Sequence, residues 1–410
     1  MKNIKLYCLQ ILCGLVLFGI SACKENKGFN DPVSSDTSKP GIVTNVKVDN
    51  FNGGSYITYD LPNSENILYV LAKYSIRNGV ARETKASYYS DTVTVIGFEK
   101  SQEYDVTLYT VSRANVMSDP VTVTVHPDTP VYLMVKPTVE VNTDFGGINI
   151  RALNPDKREI GIVTVLFNPA TNQMDVEDQY FTKSDSINFS LRGYDTQERD
   201  FGVYVTDQYG NISDTLFTKL SPLFETMLDK SKFTTFRLGS DTEIGYGWET
   251  RYLWDGRTDN SSSGWHTNPG PPPPYVTTFG IGGSFKLSRF TLWERPANFA
   301  FNHGNPRNFS LWGSNLANPA DAALPVSAPT GTVVGDWVCL QNYTYPNPPS
   351  GKPVGSTTAG DEEFVKAGVN FNVPLQAPAI RYIRFSVDRT WTGGNFAHAM
   401  ELSFYGSPNN

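Results

Sequence analysis

Cysteine is scarce in this sequence. The 410 residues carry four, Cys8, Cys13, Cys23 and Cys339. The first two lie in an apolar leader, which leaves no disulfide framework to staple the fold. Cys339 sits among Trp337, Val338 and Leu340, a setting for a buried inert thiol rather than a nucleophile. Histidine is equally rare, at four, and His126, His266, His303 and His398 are not at metal-ligand spacing. No H-E-x-x-H, G-x-S-x-G or Walker A sequence occurs, so the residues of a zincin, an α/β-hydrolase or a P-loop NTPase are missing. Glycosidases need only two carboxylates, and composition leaves that class open. Positive charge is in deficit. The formal net charge is −7, and it becomes more negative if Lys2 and Lys5 leave with the leader, which argues against nucleic acid or anionic lipid as partner. Long hydrophobic runs are absent too: the stretch from Leu6 to Ala22, broken by Gln10, is shorter than the roughly 20 residues of a membrane span.

What is present at the start is a signal peptide: Lys2 and Lys5, an apolar run from Ile11 to Ile20, then Ser21 and Ala22 before Cys23. Ile20, Ser21, Ala22 and Cys23 resemble the lipobox of bacterial lipoproteins. The resemblance implies cleavage after residue 22, lipid on Cys23 and attachment to a membrane through that anchor. Lys24, Glu25 and Asn26 resemble, incompletely, the short charged signal that directs some lipoproteins to the outer face of the outer membrane. Residues 23–40, rich in Ser, Asp, Thr and Pro, read as a flexible linker.

Beyond it helical spacing is almost absent, while short alternating runs of β-formers recur between Gly, Asn, Asp and Pro clusters. Val121, Val123 and Val125 alternate with Thr122 and Thr124, and Ile383, Phe385 and Val387 alternate with Tyr382, Arg384 and Ser386. Two stretches look like copies: Gly53, Gly54, Ile57 and Pro62 recur as Gly146, Gly147, Ile150 and Pro155, and Asn115 to Asp119 resembles Asn211 to Asp214. The period suits an immunoglobulin-sized domain. Tandem β-sandwiches are expected over 41–126 and 127–222, the first resembling a fibronectin type III module through Tyr104, Val106, Leu108 and Tyr109 in a late strand. Asn211 and Ser213 match a glycosylation sequon, discounted for a bacterial lipoprotein. Phe224, Met227 and Leu228 have the spacing of one short helix within 223–232.

All seven tryptophans fall in the third region, 223–410. There Trp254-Asp255-Gly256, a strand ending Leu292-Trp293-Glu294-Arg295, a strand Asn308 to Asn315 that ends in Gly-Ser-Asn, Arg381 to Phe385 and Glu401 to Gly406 follow in order. Together they resemble the discoidin, or coagulation-factor type C, domain, a galactose-binding-like jelly roll. The expected fold class is all-β: two tandem Ig/FnIII-like β-sandwiches followed by that jelly roll. The whole layout resembles accessory glycan-binding lipoproteins that work beside outer-membrane glycan importers.

Sugar recognition needs a flat aromatic face and fixed polar groups that read hydroxyls. The loop after Trp293 offers both, and the expected ligand-binding residues are Trp293, Glu294, Arg295, Phe299, Phe301, Asn302 and His303, with Trp391, Phe396 and His398 from a later loop. Asn298, Arg307 and Asn395 lie in the same two loops, and loops carrying Trp248, Tyr252 and Trp254, or Trp265 and His266, could join them. Trp254, Trp312 and Trp337 are expected in the core, while Trp293 fits either role. No cofactor is required. The resemblance does suggest a structural calcium, for which Asp255, Asp259 and Glu401 would supply carboxylates, although Arg257 and Thr258 interrupt the family's compact loop. Pro269 and Pro271 to Pro274 read as a stiff loop. The favoured function is a non-catalytic, surface-exposed, lipid-anchored glycan binder of the outer membrane, with neighbouring importer proteins as further partners. A surface adhesin or scaffold for a protein partner, and a glycan hydrolase, remain as alternatives.

Overall fold

The computed structural model of the chain describes residues 32–259 and 264–409. The expected signal peptide, the lipidation site Cys23 and the first part of the linker lie outside the described residues. From Val43 onward the architecture is all-β, with three successive sandwich-like units.

The first unit holds β1 (Thr44–Phe51), β2 (Gly54–Asp60), β3 (Ile67–Arg77), β4 (Val80–Ser87), β5 (Thr92–Ile96), β6 (Tyr104–Ser112) and β7 (Val121–Val125). They form two antiparallel sheets, β1-β2-β5 and β4-β3-β6-β7. The inward sets close one core, with Ile57, Val70, Val95, Val106 and Leu108 fully buried. Tyr104 opens β6 and its hydroxyl accepts from the Lys100 N–H at 3.1 Å, a tyrosine corner.

A short helix, α1 (Val131–Val135), leads into β8 (Glu140–Asp144), β9 (Gly147–Leu153), β10 (Ile160–Asn168), β11 (Gln173–Thr182), β12 (Ser186–Arg192), β13 (Arg199–Asp207) and β14 (Leu216–Leu220). The sheets β12-β9-β8 and β11-β10-β13-β14 repeat the connectivity of the first unit strand for strand. The repeated sequence features are the reason. Gly53 and Gly146 take φ of 70° and 62° in the turn between the first two strands. The glycine after each lets a neighbouring strand close in, because a Cβ on Gly54 would meet the Phe51 ring and the Val95 carbonyl, and one on Gly147 the Leu191 carbonyl. At the far hairpin the Ser118 and Ser213 hydroxyls accept from the N–H of Thr110 (3.1 Å) and Val205 (3.0 Å), and each donates to the carbonyl of the aspartate that follows it. Asn211 is buried, its amide bonded to the Gly97 carbonyl of the first unit, so the sequon serves the junction between units.

The third unit is built on β15 (Thr226–Met227), β16 (Thr234–Thr235), β17 (Trp265–His266), β18 (Tyr275–Trp293), β19 (Pro306–Ser314), β20 (Val333–Val334), β21 (Trp337–Thr344), β22 (Val369–Asn372), β23 (Ile380–Thr390), β24 (His398–Ala399) and β25 (Glu401–Pro408), with α2 (Ala359–Ala367) on its flank. The long β18 bends at Gly282 and Gly283. Its first half pairs β23 and its second half pairs β25 and β22, so one strand serves both faces of the jelly roll. The aromatic core between them includes Phe279, Phe290, Phe309, Phe385 and Phe404. Trp312 and Trp337 are fully buried with Cys339 in a second cluster, and Trp254 packs half-buried on the main core. Burial pushes the Cys339 thiol up to about 11, the setting of an inert cysteine.

The short helix expected within 223–232 is not formed. Thr226 and Met227 instead pair with Tyr405 and Gly406 at the sheet edge, and only a single 3₁₀ turn follows at Lys230–Lys232. Edge pairing satisfies the backbone and sends Leu228 alone inward, while Phe224 and Met227 are each 53% exposed.

Candidate functional site

At one end of the jelly roll the loop 294–305, between β18 and β19, meets the two-stranded β17–β24 ribbon and the segment around Tyr246–Trp248. The loop is tied internally by Asn305, which is fully buried. Its side-chain oxygen accepts from the Arg295 N–H (2.9 Å), its amide donates to the carbonyls of Arg295 (3.0 Å) and Phe299 (2.8 Å), and its own carbonyl accepts from the Trp391 N–H. Those bonds hold a strained backbone, because Ala297, Phe301 and His303 all sit at φ between 52° and 59°.

In the ribbon, His266 lies opposite His398. The His398 Nε2 accepts from the Gly304 N–H (3.2 Å) and lies 2.9 Å from His303 Nδ1. A nitrogen that accepts a backbone N–H carries no proton, so the network assigns the shared proton to His303 Nδ1. His266 Nδ1 is 2.7 Å from the Thr267 carbonyl and must donate to it. Both His266 and His303 therefore keep Nε2 as an acceptor. Burial lowers the pKa of all three imidazoles. The Arg295 charge lowers each further, and the neighbouring histidines add to the effect at His266 and His398. All three are neutral at neutral pH.

His266 and His303 line a cavity of about 310 Å³ with Tyr246, Trp248, Arg295 and Phe396. Phe396 stacks on His266 with ring centroids 5.1 Å apart and planes 10° off parallel, and Tyr246 meets His266 edge-on. The Arg295 guanidinium lies 3.6 Å from the Phe299 ring centroid and 4.9 Å from that of Trp248. A Cβ on Gly304 would strike Phe396 and His398, so only glycine allows the two loops to close this tightly. The cavity combines aromatic faces with two imidazole acceptors and a guanidinium donor, the complement of a ring with an apolar face and hydroxyl edges.

Of the residues expected from sequence, Arg295, His303 and Phe396 line this cavity, and Phe299 and His398 support it from behind. The others do not line this cavity. Glu294 is fully buried, with Oε1 accepting from Trp391 Nε1 (3.1 Å), and burial raises its pKa well above the usual carboxylate range. Phe301 is fully buried against Tyr345, Phe364 and Trp391. Trp391 is itself buried, with Arg307 over its ring. Trp293 is half-buried against Gly368 at the end of α2, and Asn302 accepts from the His303 N–H. Within this irregular loop the chain turns Glu294, Ala300, Phe301 and Asn305 to the interior and leaves Arg295, Phe299 and His303 partly exposed. Trp248 and His266 belong to loops that sequence offered as additions. Tyr246, 73% exposed at φ 57°, carried no signal beyond its two flanking glycines.

The three carboxylates expected for calcium are not brought together among the described residues. Glu401 is almost fully buried with Oε1 against the Lys230 ammonium, and its Oε2 accepts from the Gly256 N–H at 3.2 Å, so donors already occupy both oxygens. Burial nevertheless pushes Glu401 up to about 7, partly offset by Lys230. Asp255 and Asp259 are exposed, and among the described residues no three His, Cys, Asp or Glu side chains converge as a metal site.

Family models, each described only as a domain of unknown function, match residues 40–127, 128–231 and 254–406. A solved SusE-like protein is 30% identical to the chain, over 68% of this chain and 100% of that one, with a TM-score of 0.42. By that identity over its whole length, the chain belongs to the SusE-like family. Other solved structures similar to this SusE-like chain include a CBM32 module from Clostridium perfringens in complex with GalNAc-β-1,3-galactose (16% identity, 44% of this chain, 99% of that one, TM-score 0.29) and a two-domain fibronectin type III segment of chicken tenascin (11%, 44%, 99%, 0.22). No curated protein matches it.

Proposed function

We propose that the chain is a non-catalytic, lipid-anchored protein of the outer cell surface that binds glycan through the cavity between Trp248, His266, Arg295, His303 and Phe396. The observation that carries this reading is the convergence of two imidazole acceptors and one guanidinium on a pocket walled by three aromatic rings. Catalysis finds no support there. A glycosidase needs two carboxylates flanking the bond, whereas no carboxylate lines the cavity among the described residues, and Glu294 is fully buried with its pKa raised by that burial. The lipid anchor and surface location rest on the Ile20–Cys23 sequence and on the resemblance to lipoproteins that serve glycan importers. Affinity electrophoresis against a panel of galactans, mannans, xylans and glucans tests the reading. One of them should retard the chain, and Trp248→Ala or His303→Ala should weaken that binding at least roughly tenfold with little change in thermal stability. Retardation by none of them would contradict it. For the ion, EDTA should leave the unfolding temperature unchanged, whereas a calcium-dependent rise would restore Asp255, Asp259 and Glu401 as ligands.

One observation favours a second reading, a scaffold for a protein partner. The outer face of the β11-β10-β13-β14 sheet exposes Val176, Phe181 and Phe217 beside Gly161 and Gly202, an apolar surface on a unit otherwise serving as spacer. Capture of an outer-membrane protein from surface extracts, abolished by Phe181→Ser with Phe217→Ser and indifferent to Trp248→Ala, would support it.

A further inference from the structure

A second cavity lies between the second and third units. It has a volume of about 650 Å³, within the range of small-molecule sites, and one wall is the outer face of the β12-β9-β8 sheet. Its lining includes six carboxamides: Asn142, Asn149 and Asn188 on that wall, and Gln341, Asn372 and Gln376 from the third unit.

Three of these amides have their orientation fixed by the oxygen. Asn188 Oδ1 accepts from Asn149 Nδ2 (2.8 Å), Asn372 Oδ1 from Arg192 Nη2 (3.3 Å) and Gln341 Oε1 from the Thr330 hydroxyl (3.0 Å). Each therefore keeps its NH₂ as an oriented donor pair that no side-chain hydrogen bond uses among the described residues. Asn142 and Gln376 add amides that can both give and take. Charge is balanced, with Glu140 and Asp144 against Arg151 and Arg192, so the lining selects a neutral ligand rather than an anion or cation. Pro374 and Leu375, both partly exposed, contribute a short apolar strip.

The cleft is also held in shape. Arg192 of the second unit bonds Glu225 (3.0 Å) and Asp144 (3.0 Å), and the same Glu225 carboxylate receives Arg289 (3.2 Å) and Ser288 (2.5 Å) of the third unit. The two walls thus meet through one shared, half-buried carboxylate, and the donors stand at fixed separation before any ligand arrives.

We propose that this cleft is a second binding site for a neutral oligosaccharide, its hydroxyl oxygens accepting from the amides of Asn188, Gln341 and Asn372 and its C–H face resting on Pro374 and Leu375. The inference rests on the glycan reading of the protein and extends it from a terminal pocket to a chain with two contact points.

The test is calorimetric titration of the full chain with neutral gluco-, manno-, xylo- and galactohexaoses. It compares the unsubstituted chain, a chain carrying Trp248→Ala with Arg295→Ala, and cleft variants in both backgrounds. Asn188→Ala with Asn372→Ala removes two donors, and Gln376→Trp fills the cleft while leaving all three donors in place. The proposal expects residual binding in the Trp248→Ala, Arg295→Ala chain that either cleft change weakens at least roughly tenfold, with unfolding temperatures unmoved. Cleft variants that titrate like their parents overturn it and leave the terminal pocket standing. Cleft-dependent binding that Trp248→Ala and Arg295→Ala do not affect would uphold the cleft and overturn the terminal pocket. Failure of every hexaose to bind the unsubstituted chain overturns both.

Discussion

At the residue scale, the histidines decide how the terminal pocket works. His266 and His303 act as hydrogen-bond acceptors only while neutral, and burial beside Arg295 holds them so. Their folded pKa values are lowered, so the unfolded chain takes up protons first as pH falls through its ordinary value of about 6.5. Stability from this cluster is fully present above that pH and is lost below it. Affinity for the glycan should fall only at lower pH, once the folded site passes its own lowered pKa values and imidazolium replaces the acceptors and repels the guanidinium, and His303→Gln should flatten the pH profile measured by calorimetry. Glu294 has the opposite sign. Its folded pKa is raised, so its contribution is full below about 4.5 and declines as pH rises. Glu294→Gln, which keeps the bond from Trp391, should therefore match or exceed the wild-type chain in stability at pH 7.5, measured by urea midpoint. Sequence marked Arg295, His303, Phe396 and His398 because a loop rich in aromatics and polar groups exceeds what solubility needs. It could not separate Phe301 and Glu294 from them, because inward and outward side chains of an irregular loop follow no period. Nor did the spacing of 37 and 95 residues between His266, His303 and His398 suggest that β17 and β24 would set them side by side.

At the element scale, the duplicated sandwich was legible because its signals are steric. The Gly-Gly turns and the Ser-Asp pairs recur in sequence because both units use the same glycine geometry and the same serine hydroxyl bonds. Gly147→Ala should cost more than about 2 kcal/mol, because its Cβ would fall on the Leu191 carbonyl and the strand must move. Ser213→Ala, which leaves the Val205 N–H without its acceptor, should cost about 1 kcal/mol. Denaturant midpoints of the full chain test both. The expected helix near residue 225 failed for a complementary reason. Three apolar residues at helical spacing are too few to outweigh a sheet edge with open backbone groups nearby, and Glu225 is drawn between Arg192 and Arg289, contacts invisible in local sequence.

At the scale of the whole molecule, the units are joined by specific bonds rather than by free linkers. Arg77 and Gly97 of the first unit bond Asn211, and Tyr132 reaches back to the Glu99 carbonyl. Glu225 performs the same service at the second junction. Such joints tie the three described units to one another through named side chains. Glu225→Ala should loosen the second joint and broaden the distance distribution between spin labels placed on the second and third units.

The most direct test of the central claim is the crystal structure of the chain soaked with an oligosaccharide that it retards on the affinity gel. The account predicts sugar density against Trp248 and Phe396, with hydroxyls within hydrogen-bond distance of His266 Nε2, His303 Nε2 and the Arg295 guanidinium. Sugar bound elsewhere on the molecule, with this pocket empty at saturating ligand, would contradict it.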